Sequence, residues 1–375
     1  MARILYIANQ RMPTEKAYGI QITKMCEAFA LQGIDVTLLM PQRRNPSGKT
    51  IFDYYGTKNN FKIIFLGSLD FYWLGSLDKI AFLIKQTISS MGLLLAALKN
   101  KYDTIYSRDE LPLFLLSFFR KNLVFEAHRL SEKRDIFYRR FKKRNIKIIT
   151  ISQGLKDEFI RHGFDPDNIL VAHDGVDLDQ FSVEKTQSEC REILGLPLNK
   201  ILVLYTGHLY KWKGAHVLAE AAKNLSEQFQ VIFVGGSEQD LDRYRMDFVH
   251  DNIRFIGWRP HDVVPLYLKT ADVLVLPNSG REDVSSFYTS PMKMFEYMAS
   301  SKPIAASDLP SIREVLTEDT AFFFKPDDSG SLTDTINKVI NNIPEAEKRT
   351  TRALQEVVRY SWDARANSIL EFIKS

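Results

Sequence analysis

A proline-led helix start, a carboxylate among apolar neighbours and a histidine ending an apolar run are the residues of this sequence best placed to do chemistry. In Ser290-Pro291-Met292-Lys293-Met294-Phe295-Glu296, the Ser290 hydroxyl can accept from the free N–H groups of a first helical turn. Pro291 suits the first helical position, where its missing N–H costs nothing. The pattern predicts a helix from Pro291, just after the apolar run Val273–Pro277 and a polar loop. Helix N-termini favour anions, and ligands of α/β sheets gather at the carboxyl ends of strands. Glu296 has Met294, Phe295, Met298 and Ala299 around it. It reads either as a solvated surface glutamate or as a buried carboxylate. A buried carboxylate needs a partner, because unpaired burial is costly, and a pair of ribose or sugar hydroxyls would serve. His128 closes Leu123-Val-Phe-Glu-Ala-His. A lone histidine is usually structural, but the exit of a strand in a doubly wound domain is where ligands bind.

These residues need elements that bring strand ends together. Apolar runs at Ile4–Ala8, Ile34–Met40, Phe61–Leu66, from Thr104, from Leu123 and at Ile148–Ser152 read as buried strands with helical periodicity between them. The same rhythm restarts at Ile201–Thr206, from Gln230, Ile253–Gly257, Val273–Pro277, Pro303–Ser307 and Ala321–Lys325. Strand, helix, strand at this spacing builds parallel sheets, so the expected fold class is α/β with two Rossmann-like domains. A chain of 375 residues suits that number. The polar stretch Phe181 to Lys200 is the expected boundary, giving domains 1–180 and 181–375.

Composition narrows the function classes. Hydrophobic residues are 45% and charged residues 26%, a globular balance, and a net charge of +4 is too small for a nucleic-acid binder. Cys26 and Cys190 form no disulfide framework or metal cluster. The five-residue apolar run at the N-terminus is too short for a signal peptide, and no stretch is read as a membrane span of about 20 apolar residues. A cytoplasmic location is therefore expected, soluble or peripherally attached. The loop ending at Gly19 lacks G-x-G-x-x-G, so no nicotinamide site is expected; Gly48-Lys49-Thr50 is not a phosphate loop, because Arg43 stands where the motif needs glycine. The long apolar helix Asp78 to Lys99, preceded by Phe71, Tyr72, Trp73 and Leu74, reads first as core packing and second as an apolar surface for a lipid-linked acceptor or membrane. Nine basic residues lie between Arg129 and Lys147, opposed by Glu132 and Asp135 alone. They suit a solvated helix face, an anionic membrane surface or an anionic acceptor.

The segment SPMKMFEYMASSKPIAASDLPSIREVL resembles the nucleotide-sugar-binding segment of family 4 of the retaining glycosyltransferases, which have the GT-B fold of two Rossmann-like domains facing a cleft. PTEKAYGIQI, with Gly19, resembles that family's glycine loop, and FEAHR resembles the segment whose histidine reaches the transferred sugar. TGHLYKWKG resembles the donor-diphosphate loop, and Ile169 to Asp177 the domain junction. The resemblance covers nearly the whole chain. It implies that Glu296 holds the nucleotide ribose, that Lys213 and His208 face the diphosphate, and that His128 positions the sugar. The exit loop Trp258-Arg259-Pro260-His261 would seat the base, although Trp258 equally suits packing. It also implies that the C-terminal helix crosses back to the first domain.

Two departures stand out. Tyr288 occupies the position where the family typically carries a sugar-binding glutamate, with Glu282, Asp283, Ser285 and Ser286 nearby as substitutes, and His208 replaces the commoner arginine. The implied function is transfer of a sugar from a nucleotide-sugar donor to a glycan or lipid-linked hydroxyl acceptor with retention, without metal or other cofactor. Charge developing on the leaving diphosphate would meet Lys213, His208 and the helix N-terminus around Ser290, Pro291 and Met292. A nucleotide-sugar 2-epimerase and a non-catalytic sugar-nucleotide-binding protein share these features and stay open at this point.

Overall fold

The computed structural model of the chain describes residues 2–45, 47–68 and 78–375. The run Phe71 to Leu74 lies outside them. The chain divides into two compact units, one of Met1–Ile151, Leu155–His173 and Trp362–Ser375, the other of Ser152–Gly154 and Asp174–Ser361.

The first unit holds β1 (Arg3–Ile7), β2 (Asp35–Pro41), β3 (Lys62–Leu66), β4 (Thr104–Ser107), β5 (Leu123–Ala127), β6 (Lys147–Thr150) and β7 (Ile169–Val171), in the order β3-β2-β1-β4-β5-β6-β7. The second holds β8 (Ile201–Thr206), β9 (Phe229–Val234), β10 (Ile253–Gly257), β11 (Val273–Leu276), β12 (Ile304–Ser307) and β13 (Phe322–Phe324), in the order β10-β9-β8-β11-β12-β13. Pairing is parallel throughout, with registers such as Leu5 opposite Thr37 and Ile105, and Leu204 opposite Ile232 and Leu274. Parallel strands lie under helices on both faces, which is why these runs are continuously apolar. The chain thus forms two doubly wound α/β sheets, the expected fold class.

The boundary differs from the expected one. Residues past His173 already belong to the second unit, because Phe181 and Leu196 bury in the core under β8 and β11. The stretch read as a polar linker contains the helix Gln187–Ile193, opened by a capping box between Thr186 and Glu189. Thr186-x-x-Glu189 is a legible helix-start signal. At the other end, the helix Trp362–Lys374 clusters with the first unit.

Three other elements depart from expectation. The first helix starts at Ala17, so Gly19 lies in its first turn rather than in a loop. A Cβ there would lie 2.0 Å from the Tyr55 hydroxyl, which accepts from the Thr14 N–H at 2.7 Å. Thr50 caps the one-turn helix Ile51–Tyr55 by accepting from the Asp53 N–H. The helix Asp78–Lys99 is not simply core packing. Ala81, Leu93, Leu94 and Ala97 are buried, whereas Ile80, Leu83, Ile84, Ile88, Met91 and Leu95 are 40–63% exposed. Its segment Ile80–Lys99, with mean hydropathy 1.6, is also long and apolar enough by composition to cross a membrane, contrary to the sequence reading. Interrupting polar residues (Lys85, Gln86, Thr87, Ser89 and Ser90) hide this in a run of residues.

A buried charge network organises the first unit. Glu126, on β5, is fully buried. It accepts from the Gln21 amide, the Tyr106 hydroxyl, His128 Nε2 at 2.8 Å and Arg365 Nη2 at 2.9 Å. Arg365 also donates to the carbonyls of His173 and Ala172. Burial pushes the Glu126 carboxyl up, but the Arg365 guanidinium and then the His128 hydrogen bond outweigh it and hold the pKa well below the usual carboxylate range. Such a depressed group contributes stability that is present above its ordinary pKa of 4.5 and is lost as pH falls through the folded value. Removing one member of a buried pair leaves the other uncompensated. Arg365→Met is expected to lower unfolding free energy by about 3–5 kcal/mol near neutral pH. The same variant should flatten the loss of stability on acidification. Urea titrations at pH 7 and pH 3 check both.

Candidate functional site

Side chains of the second unit converge where β8 and β11 end, and two backbone crossings put them there. At Gly214 φ is +69°, and a Cβ would stand 1.6 Å from the Pro277 carbonyl oxygen at the end of β11. Only glycine fits this left-handed position against another backbone. At Gly235, φ +119°, a Cβ would stand 2.5 Å from the Gly207 carbonyl, so the loops after β8 and β9 also meet at glycines. The Trp212 carbonyl accepts from the Ser279 N–H at 3.0 Å and the Ser285 hydroxyl at 3.1 Å, tying the two loops together.

Lys213 ends the 3₁₀ turn Lys211–Lys213 immediately before Gly214. Its ammonium lies 5.3 Å from the Trp212 ring centroid and 5.8 Å from that of Tyr210. Burial pulls its pKa down to about 8, partly opposed by the Glu296 carboxylate. Lys213 and Glu296, far apart in sequence, therefore share one electrostatic environment. The His208 ring stacks on Tyr210, centroids 5.0 Å apart, and the His208 carbonyl accepts from the Tyr205 hydroxyl.

The helix carrying Glu296 runs Met292–Ala299, one residue shorter than predicted. Pro291 is its N-cap, with ψ 117°, and Ser290 makes no cap. The Ser290 hydroxyl is engaged elsewhere, accepting from the Asp174 N–H at 3.0 Å. Glu296 is buried, not a solvated surface residue, and its protein partner is a histidine: His261 Nε2 lies 2.8 Å from Oε1. Gln180 Nε2 lies 3.2 Å from His261 Nδ1. Neutral imidazole with its proton on Nε2 satisfies both contacts, donating to Glu296 and accepting from Gln180.

The remaining predicted residues take varied places. Trp258 and Arg259 are exposed after β10, and Arg259 donates to the Trp258 carbonyl and the Tyr267 hydroxyl. Tyr288 is half-buried beside Phe287. Of its four nearby substitutes, Glu282 and Asp283 are exposed. Ser285 and Ser286 spend their hydroxyls on the Trp212 and Gly280 carbonyls. His128 and Gly19 belong to the first unit. Three residues escaped the sequence reading: His261, Gln180 and Lys293, the last buried on the Glu296 helix. His261 stood in the exit loop after β10, and a histidine at a strand end was the available signal. Nothing in the sequence pairs it with Glu296, 35 residues away.

Two family descriptions match the chain: "Glycosyltransferase Family 4" over residues 19–180 and "Glycosyl transferases group 1" over residues 200–342. The chain belongs to this glycosyltransferase family. It is 24% identical over 290 residues to the D-inositol 3-phosphate glycosyltransferase of Corynebacterium aurimucosum, covering 73% of this chain and 63% of that protein. It is 27% identical over 201 residues to the phosphatidyl-myo-inositol mannosyltransferase of Mycobacterium leprae, covering 52% and 50%. The chain thus spans less than two thirds of the length of these relatives. The crystal structure of Anabaena HepE in complex with UDP and glucose superposes with a TM-score of 0.76 at 19% identity, covering all of both chains, which gives the GT-B fold.

The crossing at Gly214 predicts the behaviour of a minimal change. Gly214→Ala adds a methyl group where the Pro277 carbonyl already stands, in a backbone conformation that costs an L-residue about 1–2 kcal/mol before any clash. The variant is expected to unfold several degrees below wild type in a thermal melt.

Proposed function

We propose that this chain transfers a sugar from a nucleotide-sugar donor to a hydroxyl acceptor with retention at the anomeric carbon. One observation carries the reading: a lysine held by Gly214 and a buried carboxylate oriented by His261 share the open end of a parallel sheet. A cation suits a diphosphate as a point charge, and an oriented carboxylate suits a ribose diol. The UDP named for HepE agrees with a nucleotide donor. Family membership favours the transferase over the epimerase and the non-catalytic binding protein. Lys213, with His208 beside it, relieves charge on the leaving diphosphate, so the reading includes no metal. His128 remains the first unit's candidate for the sugar, on the resemblance of FEAHR. Relatives named for phosphatidyl-myo-inositol and teichuronic acid favour a glycan or lipid-linked acceptor.

Thermal-shift titration against UDP, GDP, ADP and CMP tests the donor site, since a ligand at 100 times its dissociation constant raises stability by about 2.7 kcal/mol. One nucleotide is expected to stabilise the chain, and Lys213→Ala to lower its transfer rate by about 100-fold or more. Wild-type transfer by a folded Lys213→Ala would remove the diphosphate assignment.

The reading places the protein in the cytoplasm, peripheral to an anionic membrane. The exposed stripe Ile80, Ile84, Ile88, Met91 and Leu95 recurs at helical spacing. Arg120 donates to the Ala97, Leu98 and Asn100 carbonyls, tying the exposed Phe118 and Phe119 to the end of that helix. The Arg140 guanidinium lies 4.1 Å over Phe118, so the helix Asp135–Lys143 continues the surface with exposed Lys133, Arg139 and Lys143 close by. Apolar side chains can insert between acyl chains while lysines and arginines meet lipid phosphates, each worth about 1 kcal/mol. Neutralising Lys133, Arg139 and Lys143 together is expected to weaken sedimentation with phosphatidylserine vesicles by roughly two orders of magnitude. Unchanged binding, or a solution dimer that covers the stripe, would overturn the membrane reading.

A further inference from the structure

Lys293 has no role in the reading above, yet its position is costly. It is the second residue of the helix Met292–Ala299 and 7% exposed. Its ammonium nitrogen is buried with no hydrogen-bond partner among the described residues. The contact it does make is with the face of Tyr205, 3.8 Å from the ring centroid. A ring face offsets part of the desolvation of a cation, but a buried ammonium normally needs an anion or a set of acceptors.

The surrounding charges do not supply one. Lys213, on the loop after β8, repels it; Glu296, on its own helix, attracts it but already accepts the His261 hydrogen bond. Tyr205 on β8 offers only its ring face, since its hydroxyl donates to the His208 carbonyl. The Tyr297 hydroxyl is held by the Thr206 backbone N–H. On the remaining side is Gly207: a Cβ there would come within 3.9 Å of Lys293 Nζ. This glycine, with φ +121°, directly follows β8 and opens the loop that carries His208 and Lys213, so the amine lies beside the start of that loop.

We propose that Lys293 is a second phosphate-binding cation of this site, reaching the diphosphate of a nucleotide ligand past Gly207. This rests on the donor reading above. Burial and the neighbouring Lys213 push the Lys293 amine well below its ordinary range in the ligand-free chain, against the weaker pull of Glu296. A diphosphate brings the missing negative charge and favours the ammonium. The amine therefore takes up a proton when the ligand binds. A group whose pKa is higher in the complex binds ligand more tightly at low pH, so affinity falls as pH rises. Lys213, also depressed, contributes in the same direction, and the two are separated by mutation. A free phosphate or pyrophosphate carries the same chemistry, and the nucleoside decides between the two sources.

The experiment is isothermal titration of the full chain with UDP, GDP and ADP between pH 6.5 and 9, each in two buffers of different ionisation enthalpy. Uridine, guanosine, adenosine and pyrophosphate serve as controls. Wild type is expected to take up protons with its preferred nucleoside diphosphate and not with the nucleoside. Lys293→Met is expected to bind that diphosphate roughly tenfold or more weakly and to lose most of the uptake. It should bind the nucleoside as wild type does and melt at or above the wild-type temperature, because a buried amine has been replaced by an apolar chain. Lys213→Ala should also weaken binding yet keep part of the uptake. A folded Lys293→Met with wild-type affinity and wild-type uptake overturns the proposal and leaves the donor reading standing. Pyrophosphate binding as tightly as every nucleoside diphosphate would assign the amine to free phosphate instead. Failure of all the diphosphates with wild type would remove the donor reading and this inference together.

Discussion

Gly214 passes the Pro277 carbonyl more closely than any side chain permits, and the site of the second unit depends on that crossing. It brings the loop after β8 down onto the end of β11. Lys213 precedes the crossing by one residue, so the crossing fixes where its side chain leaves the backbone. The Trp212 carbonyl then receives two donors from the far loop, and the loop after β9 meets the first at a second glycine pair.

Two buried carboxylates meet opposite solutions. Glu126 is neutralised by Arg365 and surrounded by further donors, giving a tightly bound charge at the centre of the first unit. Glu296 is held by a single imidazole that neutral chemistry satisfies. A carboxylate that already has a guanidinium partner gains little from a sugar hydroxyl. Glu296 accepts from an imidazole instead of a guanidinium, and its charge is felt by both Lys213 and Lys293.

The exposed stripe of the helix Asp78–Lys99 shows a limit of periodicity. An apolar helix between two strands reads as buried, because most such helices cover a sheet. Here Leu93, Leu94 and Ala97 supply the buried side, and among the described residues the side chains of Ile80, Ile84, Ile88, Met91 and Leu95 stay exposed. Helical periodicity states which residues share a face; it does not say whether anything covers that face.

By itself the sequence determined the elements and their order. The runs at Ile4, Ile201, Val273 and the others are continuously apolar because parallel strands bury both faces, so twelve of the thirteen strands of the described residues and the two α/β halves were legible; the three-residue β7 was not. The segments around Lys213 and Glu296 were marked by their resemblance to ordered motifs of the family, not by local spacing. Tertiary structure alone decided the partners. Ser290 is drawn away from capping by the Asp174 N–H. Glu296 is paired with His261, Gly19 is claimed by Tyr55, and Phe181 and Leu196 carry the linker into the second core. Lys293 was an ordinary helical lysine until the fold closed over it. Hydrogen bonds and burial depend on which residues meet across the fold, and spacing along a chain encodes only the local part of that geometry.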